Sequence, residues 1–293
     1  VLKLLDALAQ AHSVGVVHGG ICPENLVLVT GDMVAGQSAG LNYQAMWSGF
    51  HNAVTTPLEE AGIPIAVSPG NHDASGYSVY LQEREIYKQQ WNRHQPDLEY
   101  IDKEHYPLRY AFKMDDVLFV SLDATTVGKL GKEQLAWLEE ILKTPARSKI
   151  LFGHVPLYPF TIGRQREVIG DPKLEEMFNE HDVNLYISGH HHAYYPGRRG
   201  DLQLLSTPCA GAAARPLIGT SERSAKGLIS LIVFEDNEFS IEAFDANRGF
   251  GLIERETLPQ SVGSKEFPIW RDDLFQDHSM EEGHSVGDLY HPH

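Results

Sequence analysis

Short apolar runs of period two alternate along the chain with longer stretches of helical period, a pattern that predicts an α/β core. The runs LVLVT (26–30), PIAVS (64–68), KILFG (149–153), NLYISG (184–189) and LQLLS (202–206) are too short for helices and predict strands. Two longer segments, YAFKMDDVLFVSLD (110–123) and LISLIVFEDNEFSIEAFD (228–245), set a polar turn between alternating apolar stretches and predict hairpins. Met46, Phe50, Val54 and Leu58 recur at every fourth position, which predicts a helix over 43–61. Further helices are predicted over 79–93, 131–143, 172–181 and, on propensity, 2–12.

No internal repeat occurs, and no Gly/Ser/Pro linker divides the chain before about residue 259. The expected organisation is an atypical or truncated N-terminal segment (1–25), one domain (26–258) and a C-terminal extension (259–293). The extension is expected to be partly disordered, because its end, DHSMEEGHSVGDLYHPH, lacks periodicity. Asp and Glu (40) outnumber Lys and Arg (24), and the net charge of −16 disfavours a nucleic-acid or anionic-membrane partner. A small phosphoester substrate remains compatible, since a bound cation supplies positive charge locally. The longest apolar run, LISLIVF (228–234), is too short to span a bilayer. No secretory signal follows Val1, so a soluble cytoplasmic protein is the default expectation.

Candidate chemistry lies directly behind the predicted strands. Gly31-Asp32, Gly70-Asn71-His72-Asp73, Gly153-His154 and Gly189-His190-His191-His192 each follow one. Strand C-termini of an open α/β sheet share one rim, so Asp32, Asn71, His154 and His190 can converge there. Period-two alternation puts His190 and His192 on one side and turns His191 away. A carboxylate, an amide oxygen and imidazoles form a mixed donor set suited to Mn, Fe or Zn. Read singly, each motif is an ordinary turn; four in order behind four strands are better explained by a shared metal.

This ordered set resembles the calcineurin-like metallophosphoesterase superfamily over about residues 26–245. The resemblance implies a four-layer α/β/β/α sandwich with two divalent metal ions on one rim. By that likeness Asp32 bridges the metals, Asn71, His154 and His190 complete one site, and His192 serves the other. His72 becomes the general acid, oriented by Asp73, while a metal-held hydroxide attacks a phosphomonoester or phosphodiester. Ala35 stands where purple acid phosphatases carry a tyrosine, which argues against a tyrosinate-bound ferric site. Arg198 and Arg199 are candidates to clamp a phosphate, and Tyr194 or Tyr195 to stack on a base; a solvated turn is the favoured alternative.

Two features depart from the pattern. The superfamily's first motif, D-x-H, is absent upstream of Asp32, and truncation before Val1 is its simplest account. Residues 9–28 resemble a kinase catalytic loop in His18, Pro23 and Asn25, but Gly20 and Cys22 replace the base and the lysine, which excludes a kinase. Without the first motif one site keeps only Asp32 and His192, so a catalytically impaired single-metal binding module is the rival expectation.

Overall fold

The computed structural model describes residues 25–236, 238–264 and 267–274; the helix expected over 2–12 and the histidine-rich tail lie outside the described residues. In chain order the first elements are β1 (Val27–Val29), α1 (Tyr43–Phe50), α2 (Thr56–Glu60), β2 (Ile65–Val67) and α3 (Leu81–Arg93). Next come β3 (Glu99–Asp102), β4 (Tyr110–Met114), β5 (Val117–Ser121), α4 (Lys132–Leu142), β6 (Ser148–Gly153) and α5 (Pro172–Glu180). Then follow β7 (Leu185–Ser188), β8 (Tyr195–Arg199), β9 (Leu202–Ser206), β10 (Gly227–Val233), β11 (Phe239–Asp245) and β12 (Gly251–Leu252). The last strands are β13 (Ser261–Gly263) and β14 (Pro268–Arg271).

Alternation along these strands builds the layers. A nine-stranded sheet runs in the order β13-β14-β8-β9-β7-β6-β5-β4-β3, with β5, β6, β7 and β9 parallel. Leu118, Val120, Leu151 and Tyr186 face one side, against Leu138 and Leu142 of α4 and Leu174 and Phe178 of α5. Val117, Phe119, Ile150, Phe152, Leu185 and Ile187 face the other, against Leu28 of β1, Ala66 of β2 and Ile241 and Ala243 of β11. Val27, Val29, Ile65 and Val67 point out of the small parallel β1–β2 sheet onto Trp47, Leu58, Tyr87 and Trp91 of the first three helices. The result is helix, large sheet, small sheets, helix: the expected α/β/β/α sandwich. Fully buried Phe112, Phe152 and Phe178 each contribute roughly 1.5–3 kcal/mol. No helix among the described residues is long and apolar enough to cross a membrane.

Local chemistry explains the departures from expectation. The helix over 43–61 forms, but its middle, His51–Thr55, widens into a π turn in which the Thr56 N–H reaches the His51 carbonyl. Pro57 follows at once and offers no N–H of its own. Strand β8 was not expected, because Tyr-Pro-Gly-Arg-Arg reads as a turn. All five of its residues pair with β9, and Gly197 leaves room for Ile269 of β14, whose Cγ2 a Cβ there would meet at 2.4 Å. Among the described residues after 259, β13 and β14 join the large sheet. Val262 and Ile269 are buried, and Arg271 donates to the carbonyls of Arg255 (2.7 Å) and Leu258 (2.9 Å).

Candidate metal centre

The turns that follow the motif-bearing strands touch backbone to backbone. A Cβ on Gly31 (φ +86°) would lie 2.6 Å from the Gly70 Cα, and one on Gly70 would lie 2.2 Å from the Asp32 nitrogen. Glycine alone permits that approach. Gly189 is similarly confined: a Cβ there would lie 2.9 Å from the Thr30 carbonyl oxygen. Just beyond, Asp32 (φ 56°), His190 (φ 58°) and His192 (φ 54°) are left-handed, a conformation that costs a non-glycine residue roughly 1–2 kcal/mol.

Asp32 and His190 meet Asn71 and His154 at one point. His154 donates from Nδ1 to the Thr30 carbonyl at 2.7 Å, which leaves Nε2 facing inward. Nε2 lies 2.9 Å from Asn71 Oδ1, 3.1 Å from Asp32 Oδ2 and 3.1 Å from His190 Nδ1. A proton on Nε2 serves one of these neighbours at a time, whereas a cation serves them all. Asp32, His154 and His190 present ligand atoms within 4.8 Å of one another, so the residues fit a divalent metal. Burial opposes charge on both partners of the Asp32–His154 pair. Their mutual attraction wins, raising the His154 pKa and holding Asp32 well below the ordinary carboxylate range. Burial first, then His154 and His191, push His190 down to about 2.

The four residues expected to converge therefore do so, and His192 does not join them. Its Nδ1 donates to the Ala213 carbonyl at 3.1 Å, and it stands outside the three-ligand cluster. His191 is buried and turned away, accepting the Phe160 N–H at 3.2 Å and donating to the Glu167 carbonyl at 3.0 Å.

The expected orientation of His72 by Asp73 is replaced by another arrangement. The buried Asp73 carboxylate accepts the N–H groups of Met33 (2.8 Å) and Gly70 (2.7 Å), so it ties the two ligand loops together. Burial, and then the charge of Asp32, push its pKa up to about 7. His72 is placed by its own backbone, whose N–H donates to Asp32 Oδ1 at 2.8 Å. Its ring Nδ1 donates to the Gly36 carbonyl at 3.3 Å.

Tyr194, Arg198 and Arg199 lie elsewhere, against expectation. Register pairs Arg198 with Gln203 and Arg199 with Leu202, at the end of β8 opposite the ligands. Neither a phosphate clamp nor a solvated turn describes Arg199, which is forked onto Glu175 and stacked on Tyr158. Tyr194 is 1% exposed and its hydroxyl accepts from Arg255 at 3.3 Å. The residues that do surround the cluster were not foreseen. Glu167 Oε2 lies 2.9 Å from His190 Nε2 and pairs with Arg164, and Arg215 donates to the His190 carbonyl at 3.1 Å. Charged residues in irregular loops carry no periodic signal that would reveal them.

The family model for calcineurin-like phosphoesterases matches residues 2–194. A purple acid phosphatase from yellow lupin seeds is similar in structure at a TM-score of 0.60 and 18% identity, over 78% of this chain and 45% of that one. This chain thus spans less than half the length of the lupin protein. A dimetal phosphatase from Danio rerio aligns at a TM-score of 0.44 and 16% identity, over 63% of this chain and 72% of that one. The search of curated proteins finds no significant match. With the motifs, the layered fold and the ligand cluster in agreement, the chain belongs to the calcineurin-like phosphoesterase family.

Proposed function

We propose that this chain hydrolyses a phosphomonoester or phosphodiester with a divalent cation held by Asp32, Asn71, His154 and His190. The observation that carries the reading is the inward face of His154 Nε2, where three electron-rich atoms meet within 3.1 Å. The mixed donors suit manganese, iron or zinc. When bound, the ion neutralises phosphoryl charge and lowers the pKa of water. His72 is the general acid: the Gly36 carbonyl takes its Nδ1–H, which leaves Nε2 to hand a proton to the departing alkoxide. His192, with Asp32, serves a second cation.

Manganese-supplemented hydrolysis of bis-(p-nitrophenyl) phosphate tests this. Asp32→Asn should lower it by more than about 10³-fold, because ion-supplied stabilisation amounts to several kcal/mol. Activity untouched by that substitution overturns the reading. His72→Ala should slow alkyl esters far more than nitrophenyl esters, and equal losses would remove His72 from its role.

One observation favours a second reading. Among the described residues a single three-ligand cluster is present, and His192 stands outside it. On that reading the chain is a single-cation binding module without turnover. Elemental analysis separates the two: about two metals per chain with turnover, or about one without.

A further inference from the structure

Two arginines stand beside the cation cluster of a chain whose net charge is −16. They arrive on different loops that are zipped together. Ile162 N–H donates to the Pro216 carbonyl (3.1 Å) and Ile218 N–H to the Phe160 carbonyl (2.9 Å), around an antiparallel bridge between Thr161 and Leu217. Arg215 is held at both ends. Its N–H bonds the His192 carbonyl at 3.2 Å, and its guanidinium bonds the His190 carbonyl at 3.1 Å. Arg223 donates to the Ala214 carbonyl at 2.9 Å and secures the base of this hairpin.

The two cations differ in what balances them. Arg164 pairs with Glu167, the residue that also holds His190 Nε2 at 2.9 Å. Arg215 makes no ion pair with a carboxylate among the described residues. Burial disfavours both cations, and each also feels a neighbouring guanidinium: Arg164 that of Arg215, and Arg215 that of Arg223. A half-buried guanidinium without a counter-charge is costly to hold, and an arriving anion relieves that cost. Asp32 is engaged by His154 at 3.1 Å and by the His72 N–H, and its charge reaches both arginines only through space.

We propose that Arg215, backed by Arg164, forms an anion subsite beside the Asp32–His154–His190 cluster and selects dianionic phosphomonoesters over monoanionic diesters. The proposal rests on the hydrolytic reading above. A terminal phosphoryl group carries nearly two charges near neutral pH and three free oxygens, so it faces a cation and a guanidinium together. A diester offers one charge and loses less when the guanidinium goes.

The test uses the full chain with manganese. Inorganic phosphate is titrated calorimetrically, and kcat/KM is compared for p-nitrophenyl phosphate and its bis ester. Arg215→Gln keeps a donor for the His190 carbonyl and removes the charge. It should weaken phosphate binding about tenfold and lower the monoester-to-diester ratio by a similar factor, while Arg215→Lys restores most of both. Unchanged phosphate affinity, or equal losses on the two esters, overturns the subsite and leaves Arg215 a loop staple. Should Arg215→Gln fail to fold, Arg164→Gln gives the same comparison with a smaller shift. Wild-type protein that hydrolyses neither ester refutes the hydrolytic reading, and the titration then decides alone. Phosphate binding weakened by the substitution sustains the subsite, and no phosphate binding overturns it.

Discussion

The two ends of the nine-stranded sheet hold charge in opposite ways. Away from the ligands, Arg199 forks onto Glu175 at 2.9 and 3.3 Å and lies over the rings of Tyr158 (4.6 Å) and Phe267 (5.4 Å). Lys149 is gripped there by the carbonyls of Leu142 (2.8 Å) and His181 (2.7 Å). These groups find their complements inside the protein. At the ligand end, His154 faces three electron-rich atoms, and Arg215 meets a carbonyl but no carboxylate among the described residues. The contrast teaches that a site is marked by groups whose partners are missing, rather than by density of charge.

The largest expected effect tests the ligand end. Gly70→Ala would force a methyl group within 2.2 Å of the Asp32 nitrogen. It should cost at least about 4 kcal/mol in denaturant unfolding and abolish metal retention. Normal stability with normal metal content would show that the crossing loops separate freely, and the contrast would dissolve.

A histidine pair remote from both ends sharpens the comparison. His51 and His94 stack with ring centroids 4.1 Å apart, and burial, then His94, push the His51 pKa down to about 4 from 6.5. The unfolded chain therefore binds more protons between pH 6.5 and 4. The contribution is complete above that window and is lost as pH falls through it, by up to about 3 kcal/mol. His51→Phe should flatten this part of the stability profile. A slope that persists belongs to other histidines.

The smallest effect belongs to the satisfied end. Arg199→Met should cost about 2 kcal/mol, by stranding Glu175, while hydrolysis stays within about twofold of wild type. A loss of activity comparable to that of Asp32→Asn would place the functional surface at the wrong end.

Much of this architecture is readable in the chain itself. LQLLS coincides with β9 at both ends, because a short apolar run bounded by polar turn residues leaves little choice. The meeting of Asp32, Asn71, His154 and His190 is equally legible, since each follows a glycine behind a strand. Strand β8 is not, because Gly197 acts through Ile269, a residue far along the chain. Arg164, Glu167 and Arg215 are illegible for the same reason. Their meaning comes from the bridge between Thr161 and Leu217, a tertiary pairing that no local pattern announces. Asp73 misleads in a different way: adjacent to His72 in order, it spends both oxygens on the N–H groups of Met33 and Gly70.

Asp32 and Asn71 follow strands of the two-stranded sheet, whereas His154 and His190 follow strands of the nine-stranded one. An ion seated among them would act as a rivet through two stacked plates. Any shear of one plate over the other would scatter the coordination sphere, so the residence time of the metal becomes a gauge of how firmly the sandwich is clamped.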